Sequence, residues 1–178
     1  MNSVYACTVC GACYEKCKQV TTVELGAPDL FETMRHELAT KGWLLGAHKT
    51  IADRIKETEN AYGEQYEYKA ESTDDKADVF YYIGCNARYR VPEIADAMLG
   101  IFNKLSMKYQ VMDEGWCCGS GGFTLWSATE RLKEAKEAGA EALVSACLFC
   151  KRNLKEAAEK ERMEVYDVVE LVNRGLAR

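Results

Sequence analysis

The chain has 178 residues, 48% of them hydrophobic and 29% charged, with a net charge of −5. That is the make-up of a globular chain with room for one ordinary domain and an appendage. A pI near 5.2 argues against nucleic-acid binding, which usually brings a basic patch. No apolar run approaches the roughly 18 residues that a spanning helix needs, and the N-terminus lacks the basic and apolar regions of a signal peptide. A cytoplasmic location is expected, with any membrane association made through a partner. Nine cysteines are many for this length. Their number is odd, and their spacings are those of metal sites rather than of a disulfide framework.

The first group is Cys7-x2-Cys10-x2-Cys13-x3-Cys17. This is the spacing of a bacterial-ferredoxin [4Fe–4S] motif, in which a short loop wraps one cubane cluster. Gly11 relieves the backbone where the loop must curl. Zinc sites more often use two separated C-x2-C knuckles. In two-cluster ferredoxins the fourth cysteine of such a run serves the other cluster. Either Cys17 closes its own cluster, or another chain supplies the missing half.

Residues Pro28 to about Lys56 read as helices. Pro28 suits a first turn, Leu30, Phe31, Met34 and Leu38 share a face, and Lys41-Gly42 ends the helix. A second run carries Leu44, Leu45, His48, Ile51, Ala52 and Ile55. His36 and His48 have no local metal-ligand companion and read as surface or packing residues. Residues 57–76 are polar and read as a linker or covering loop. The expected division is 1–75, with the iron–sulfur motif and helices, and 76–178.

The remainder alternates. Asp78–Ile83 reads as a strand ending at Gly84-Cys85. Pro92 to about Leu105 reads as a helix with Ile94, Ala97, Met98, Ile101 and Phe102 inward. Lys108–Met112 is a second strand. Ser127–Ala138 is a helix with Ser127-x-x-Glu130 as a capping box and Gly139 as its stop. Ala142–Ala146 is a third strand, ending at Cys147, and Leu154 to about Lys160 is helical. Val165–Asp167 is a short fourth strand, and Val168 to about Asn173 a last helix. This order implies a mostly parallel sheet with right-handed crossovers. Sites in such sheets form beyond the carboxyl ends of the strands, which is where Cys85, Cys117, Cys118, Cys147 and Cys150 fall.

Cys117 and Cys118 lie in the run Gly115-Trp116-Cys117-Cys118-Gly119-Ser120-Gly121-Gly122-Phe123. Neighbouring side chains diverge, so the pair suits two atoms of one cluster, or two centres, better than one tetrahedral ion. The glycines let the backbone turn sharply, and their N–H groups can form a nest for sulfide or thiolate. The plainer reading is a glycine loop with two buried thiols. Trp116, Phe123 and Trp126 flank the loop and are expected to shield it. Arg88, Arg90, Lys151 and Arg152 follow the cysteines closely. Cations there would offset a cluster's negative charge, though plain surface charge is the expectation.

The order Cys85-x31-Cys117-Cys118-x28-Cys147-x2-Cys150 resembles the cysteine-rich CCG domain. That domain occurs in the B and D subunits of heterodisulfide reductase and in iron–sulfur subunits of glycolate, lactate and glycerol-3-phosphate oxidoreductases. The quartet with Gly11, and the stretches Met34-Arg35, Lys41-Gly42 and Asn60-Ala61-Tyr62-Gly63, are similar too. Family members usually carry two quartets and two CCG domains; this chain has one of each. The resemblance implies an α/β fold: a parallel-sheet CCG domain with cysteines at strand C-terminal ends, preceded by a helical half-ferredoxin-like region. It implies a redox subunit in which Cys7, Cys10, Cys13 and Cys17 hold a [4Fe–4S] cubane. Cys85, Cys117, Cys118, Cys147 and Cys150 would hold a second [4Fe–4S], of noncubane type, that reduces a disulfide such as the coenzyme M–coenzyme B heterodisulfide or a related thiol substrate. Partner subunits carrying ferredoxin-like clusters, flavin or haem are implied. The rivals are an electron-transfer subunit whose flavin partner does the chemistry, and a CCG domain holding structural zinc.

Overall fold

The computed structural model describes residues 2–21, 26–65, 70–73, 77–112, 117–120 and 125–176. Contacts divide the chain into two units, residues 1–50 and residues 51–120 with 124–178.

The first unit is helical: α1 (Asn2–Ala6), α2 (Ala12–Thr21), α3 (Ala27–Thr40) and the start of α4 (Gly46–Thr58). Pro28 sits in the first turn of α3, where its missing N–H costs nothing. At the other end Gly42 takes a φ of 73°, and Trp43 N donates to Leu38 O at 2.8 Å. That is a Schellman closure with glycine in the left-handed position. The expected apolar face of α3 is only partly used. Phe31 and Leu38 are half-buried, but Leu30 is 59% exposed and Met34 is exposed as well. Neither α2 nor α3 buries a residue, because a unit of about 50 residues has little apolar surface from which to build a core.

The second unit is a parallel sheet with helices on both faces. Its elements are β1 (Val79–Tyr81), α5 (Cys85–Tyr89), α6 (Pro92–Lys104), β2 (Tyr109–Val111), α7 (Leu125–Glu137), β3 (Ala142–Ser145), α8 (Leu148–Glu161), β4 (Glu164–Asp167) and α9 (Val168–Leu176). The strand order is β2-β1-β3-β4, all pairs parallel, with Val79 opposite both Tyr109 and Ala142. β1 and β3 are buried along their whole length, as strands covered on both faces must be. Successive side chains point to opposite faces. Phe80 and Tyr82 pack with Leu132 and Ala135 of α7 and Leu154 and Ala158 of α8. Val79, Tyr81 and Ile83 pack with Met98 and Phe102 of α6 and Leu171 of α9.

Three elements depart from the sequence expectation. The buried face of α6 is Ala95, Met98 and Phe102, while Ile94 and Ala97 are exposed. Phe102 seats edge-on to Tyr81 at 5.4 Å and against Tyr109 at 4.9 Å, and those rings fix the helix's rotation. α7 starts at Leu125, so Ser127 lies inside the helix and is not its cap. Its stop is as expected: Gly139 has a φ of 76° and Ala140 N donates to Ala135 O. α8 starts at Leu148, well before Leu154, because the Cys147 thiol caps it by accepting from Cys150 N at 3.4 Å. α9 has a capping box of its own. Asp167 Oδ1 accepts from Glu170 N at 2.9 Å, and Glu170 Oε2 accepts from Asp167 N at 3.1 Å.

Part of the polar stretch before the sheet does cover it. Thr73 N donates to Tyr109 O at 2.9 Å, Tyr109 N to Thr73 Oγ1 at 2.8 Å, and Val111 N to Ser72 Oγ at 3.0 Å. These bonds satisfy the outer edge of β2. Phe102 is the aromatic keystone of the α6 face, at 0% exposure. Phe102→Ala is expected to cost about 3–5 kcal/mol of unfolding free energy, measured by urea denaturation of the full chain; a loss below about 1 kcal/mol would contradict this packing.

Candidate metal centre

β1 lies between β2 and β3. The chain leaves β1 toward one side to form β2 and returns on the other side as β3. The loops after β1 and β3 therefore part, opening a crevice at the carboxyl ends. Cys85 opens α5 beyond β1, Cys117 and Cys118 follow β2, and Cys147 and Cys150 follow β3. Cys117, Cys118 and Cys150 are buried; Cys85 and Cys147 are half-buried. Gly115, Trp116, Gly121, Gly122 and Phe123 lie outside the described residues, as does the side chain of Trp126.

The five thiols are linked by S–H···S contacts. Cys85 donates to Cys117, and Cys117 donates to Cys118. Cys150 donates toward both Cys118 and Cys147. Each donor is held in its protonated form. Cys85 is pushed up, first by its hydrogen bond to Cys117 and then by burial. Cys117 is pushed up to about 12, chiefly by donating to Cys118. Cys150 is pushed up by donating to Cys118 and Cys147. The acceptors move the other way. Cys118 is held well below the ordinary thiol range by accepting from Cys117 and Cys150. Cys147 falls to about 6 by accepting from Cys150, with the backbone N–H groups of Cys150 and Phe149 adding to this. Gly119 N, at a left-handed φ of 74°, also donates to Cys117 Sγ at 3.4 Å.

Among the described residues, no group of three or more His, Cys, Asp or Glu side chains is placed to hold a metal ion. Their chemistry still decides what they fit. A donor set made only of thiols suits zinc or an iron–sulfur centre. Five thiols exceed a tetrahedral zinc site, and adjacent Cys117 and Cys118 suit different atoms of one cluster. The residues present therefore fit an iron–sulfur centre.

The support for these thiols comes from residues to which the sequence assigned no role. A Cβ on Gly84, which has a φ of 77°, would lie 3.2 Å from Cys150 Sγ and 3.5 Å from the Tyr82 ring. Asn153 Nδ2 of α8 donates to Cys118 O, and Cys117 N donates to Glu59 O at 2.6 Å. Asn60 is fully buried; its Oδ1 accepts from Tyr62 N and Gly63 N, and its Nδ2 donates to Thr58 O and Glu64 O, all at 2.9 Å. The Asn-x-x-Gly turn was a legible signal for Asn60; Asn153 gives none. Of the flanking cations, Arg88 corrects the surface-charge expectation. It is buried and donates to Met112 O at 2.9 Å, which ties α5 to the end of β2. Arg90 is exposed, paired with Glu64 at 2.7 Å and stacked 4.0 Å over Tyr62. Lys151 is drawn inward to Asp167 at 2.7 Å and Glu170 at 2.6 Å, and Arg152 is exposed. Leu148 and Phe149, between Cys147 and Cys150, are 69% and 54% exposed.

In the first unit, Cys13 and Cys17 lie one turn apart on α2, and so on one face. Val9 at a φ of 55° and Gly11 at 77° curl the loop before it. Val9 N donates to Cys7 Sγ at 3.4 Å. Cys10 is exposed, and its thiol is lowered by the Ala12 N–H and then the Thr8 hydroxyl. His48 packs against Tyr5 at 4.7 Å, and His36 is half-buried.

The shared protons give a chemical prediction. In reduced, metal-free protein, Cys147 is expected to react with iodoacetamide half-maximally near pH 6, while Cys117, at about 12, stays unmodified up to about pH 9. Peptide mass mapping across that range checks it. Equal labelling of the two at neutral pH would contradict the S–H···S chain.

Residues 79–155 match the family model of the CCG cysteine-rich domain, a span that contains all five of these thiols. The D subunit of the dihydromethanophenazine:CoB–CoM heterodisulfide reductase of Methanosarcina mazei is 30% identical over 173 residues, covering 86% of this chain and 41% of that protein. The B subunit of the fumarate reductase (CoM/CoB) of Methanothermobacter marburgensis is 28% identical over 183 residues, covering 96% and 36%. An uncharacterized iron–sulfur protein of Methanococcus maripaludis is 25% identical over 192 residues, covering 98% and 38%. The chain thus spans about two fifths of the length of these relatives. No solved structure matches it. The family match is thus to residues 79–155, which resemble the CCG cysteine-rich domain.

Proposed function

We propose that this chain is an iron–sulfur redox subunit that delivers electrons to a disulfide. The observation that carries this reading is the placement of Cys85, Cys117, Cys118, Cys147 and Cys150 beyond the ends of β1, β2 and β3, where neighbouring thiols shift one another's acidity. In this reading they hold one centre, and Cys7, Cys10, Cys13 and Cys17 hold a [4Fe–4S] cubane that feeds it. Such a centre, when bound, supplies single electrons and iron open to sulfur.

The overall reaction is R–S–S–R′ with two electrons and two protons giving RSH and R′SH. The fifth thiol favours chemistry at this centre over plain electron carriage, since it is one more than a simple cube needs. Similarity to one subunit of a CoB–CoM heterodisulfide reductase and to one of a CoM/CoB fumarate reductase supports a substrate of that class, a disulfide between two small thiols. Gly84 keeps the sulfurs clear of a side chain. Cys147, already a thiolate at neutral pH, is ready to bind metal without losing a proton. The electrons come from partner subunits carrying ferredoxin-like clusters, flavin or haem. No helix among the described residues is long and apolar enough to cross a membrane, and any membrane contact is assigned to a partner.

Iron, zinc and acid-labile sulfide per chain in anaerobically purified protein test this directly. About eight iron and eight sulfide are expected, with an oxidised-state EPR signal that responds to added thiol. Cys85→Ser is expected to abolish that signal and leave the cubane's reduced-state signal intact. About four iron with one zinc would make the CCG domain structural and overturn the disulfide reading.

A further inference from the structure

Arg35 lies in α3, but its side chain serves another segment. Its Nε and one terminal nitrogen donate to Val4 O at 3.2 and 3.1 Å. The same terminal nitrogen also donates to Cys7 O. The guanidinium lies 5.9 Å over the Tyr5 ring. Tyr5 is itself fixed by its hydroxyl, which donates to Trp43 O at 3.1 Å. A delocalised cation is thus clamped onto the backbone carbonyl of the first quartet cysteine. The three contacts leave it little freedom. Glu37, two residues further on, is engaged at the surface with Lys41 at 3.9 Å.

Resting on the reading that Cys7, Cys10, Cys13 and Cys17 hold a cluster, we propose that Arg35 sets that cluster's reduction potential. Reduction adds one negative charge to an already anionic, thiolate-bound centre. A fixed positive charge at a ligand's own carbonyl stabilises the reduced form more than the oxidised one, and so raises the potential. Arginine suits the task because it does not deprotonate in proteins, so its effect holds across pH. Its rigid planar fork also holds the two carbonyls in one geometry, whereas a lysine offers a point charge on a flexible stem.

The plainer role is a cap on the last carbonyls of α1, which any donor would fill. Charge and capping separate by substitution in the full chain, loaded anaerobically with iron and sulfide. The measurement is the midpoint potential of the cubane, followed by EPR in a mediated redox titration. Arg35→Lys is expected to keep the wild-type potential while losing thermal stability, because the charge stays and the fork goes. Arg35→Gln and Arg35→Met are expected to shift the potential downward. A potential unchanged in Arg35→Gln, or lowered as far in Arg35→Lys as in Arg35→Gln, overturns the inference. If the neutral variants fail to take up iron while Arg35→Lys loads, charge is needed to assemble the centre, which supports it. If no variant loads, the contact geometry matters and the charge does not, which overturns it. A wild-type chain without a cubane signal would instead remove the underlying reading, with no variant needed.

Discussion

The placement of β1 between β2 and β3 governs the second unit. Parallel strands end on one side of the sheet, so every loop that follows a strand arrives there. Because the connection after β1 runs toward β2 and the one after β3 toward β4, those two loops diverge. The cysteines arrive from three directions: α5, the Cys117-Cys118 segment and the first turn of α8. One of these is the beginning of α8, where the backbone N–H groups of Cys150 and Phe149 help to lower the Cys147 thiol. Asn153 and Glu59 then fasten the middle segment, through Cys118 O and Cys117 N.

Five sulfurs in one mostly buried corner cannot all be charged, since like charges in a low-dielectric site repel strongly. Nor can all stay neutral without partners, since buried donors need acceptors. The shifts in acidity fall into an alternating pattern. Cys118 and Cys147 accept, and Cys85, Cys117 and Cys150 donate. The arrangement links metal binding to acidity. Coordinating all five sulfurs requires removing the protons that Cys85, Cys117 and Cys150 hold, so affinity rises with pH.

Much of this was readable in the sequence. The alternation of apolar runs and helical periods pointed to the parallel sheet, and the cysteine spacings pointed to both groups and their place beyond the strands. What escaped has physical reasons. The rotation of α6 depends on Tyr81 and Tyr109, which are distant in sequence, so periodicity alone favoured Ile94 over Ala95. The early start of α8 was hidden because a thiol is not among the usual capping groups. The box Asp167-x-x-Glu170 was written plainly and passed over, because Asp167 was read only as the end of a strand. Arg88 reads as surface in sequence, and only the fold shows that its carbonyl partner lies inside. On α3 the apolar stripe was real, but Leu30 and Met34 find no core to enter within their unit.

Val9 lies between Cys7 and Cys10 in a left-handed conformation. For a β-branched residue that region is a genuine outlier, costing roughly 1–2 kcal/mol against the extended form. The loop stores that strain between Cys7 and Cys10, and the bond from Val9 N to Cys7 Sγ is one of the contacts that hold it there.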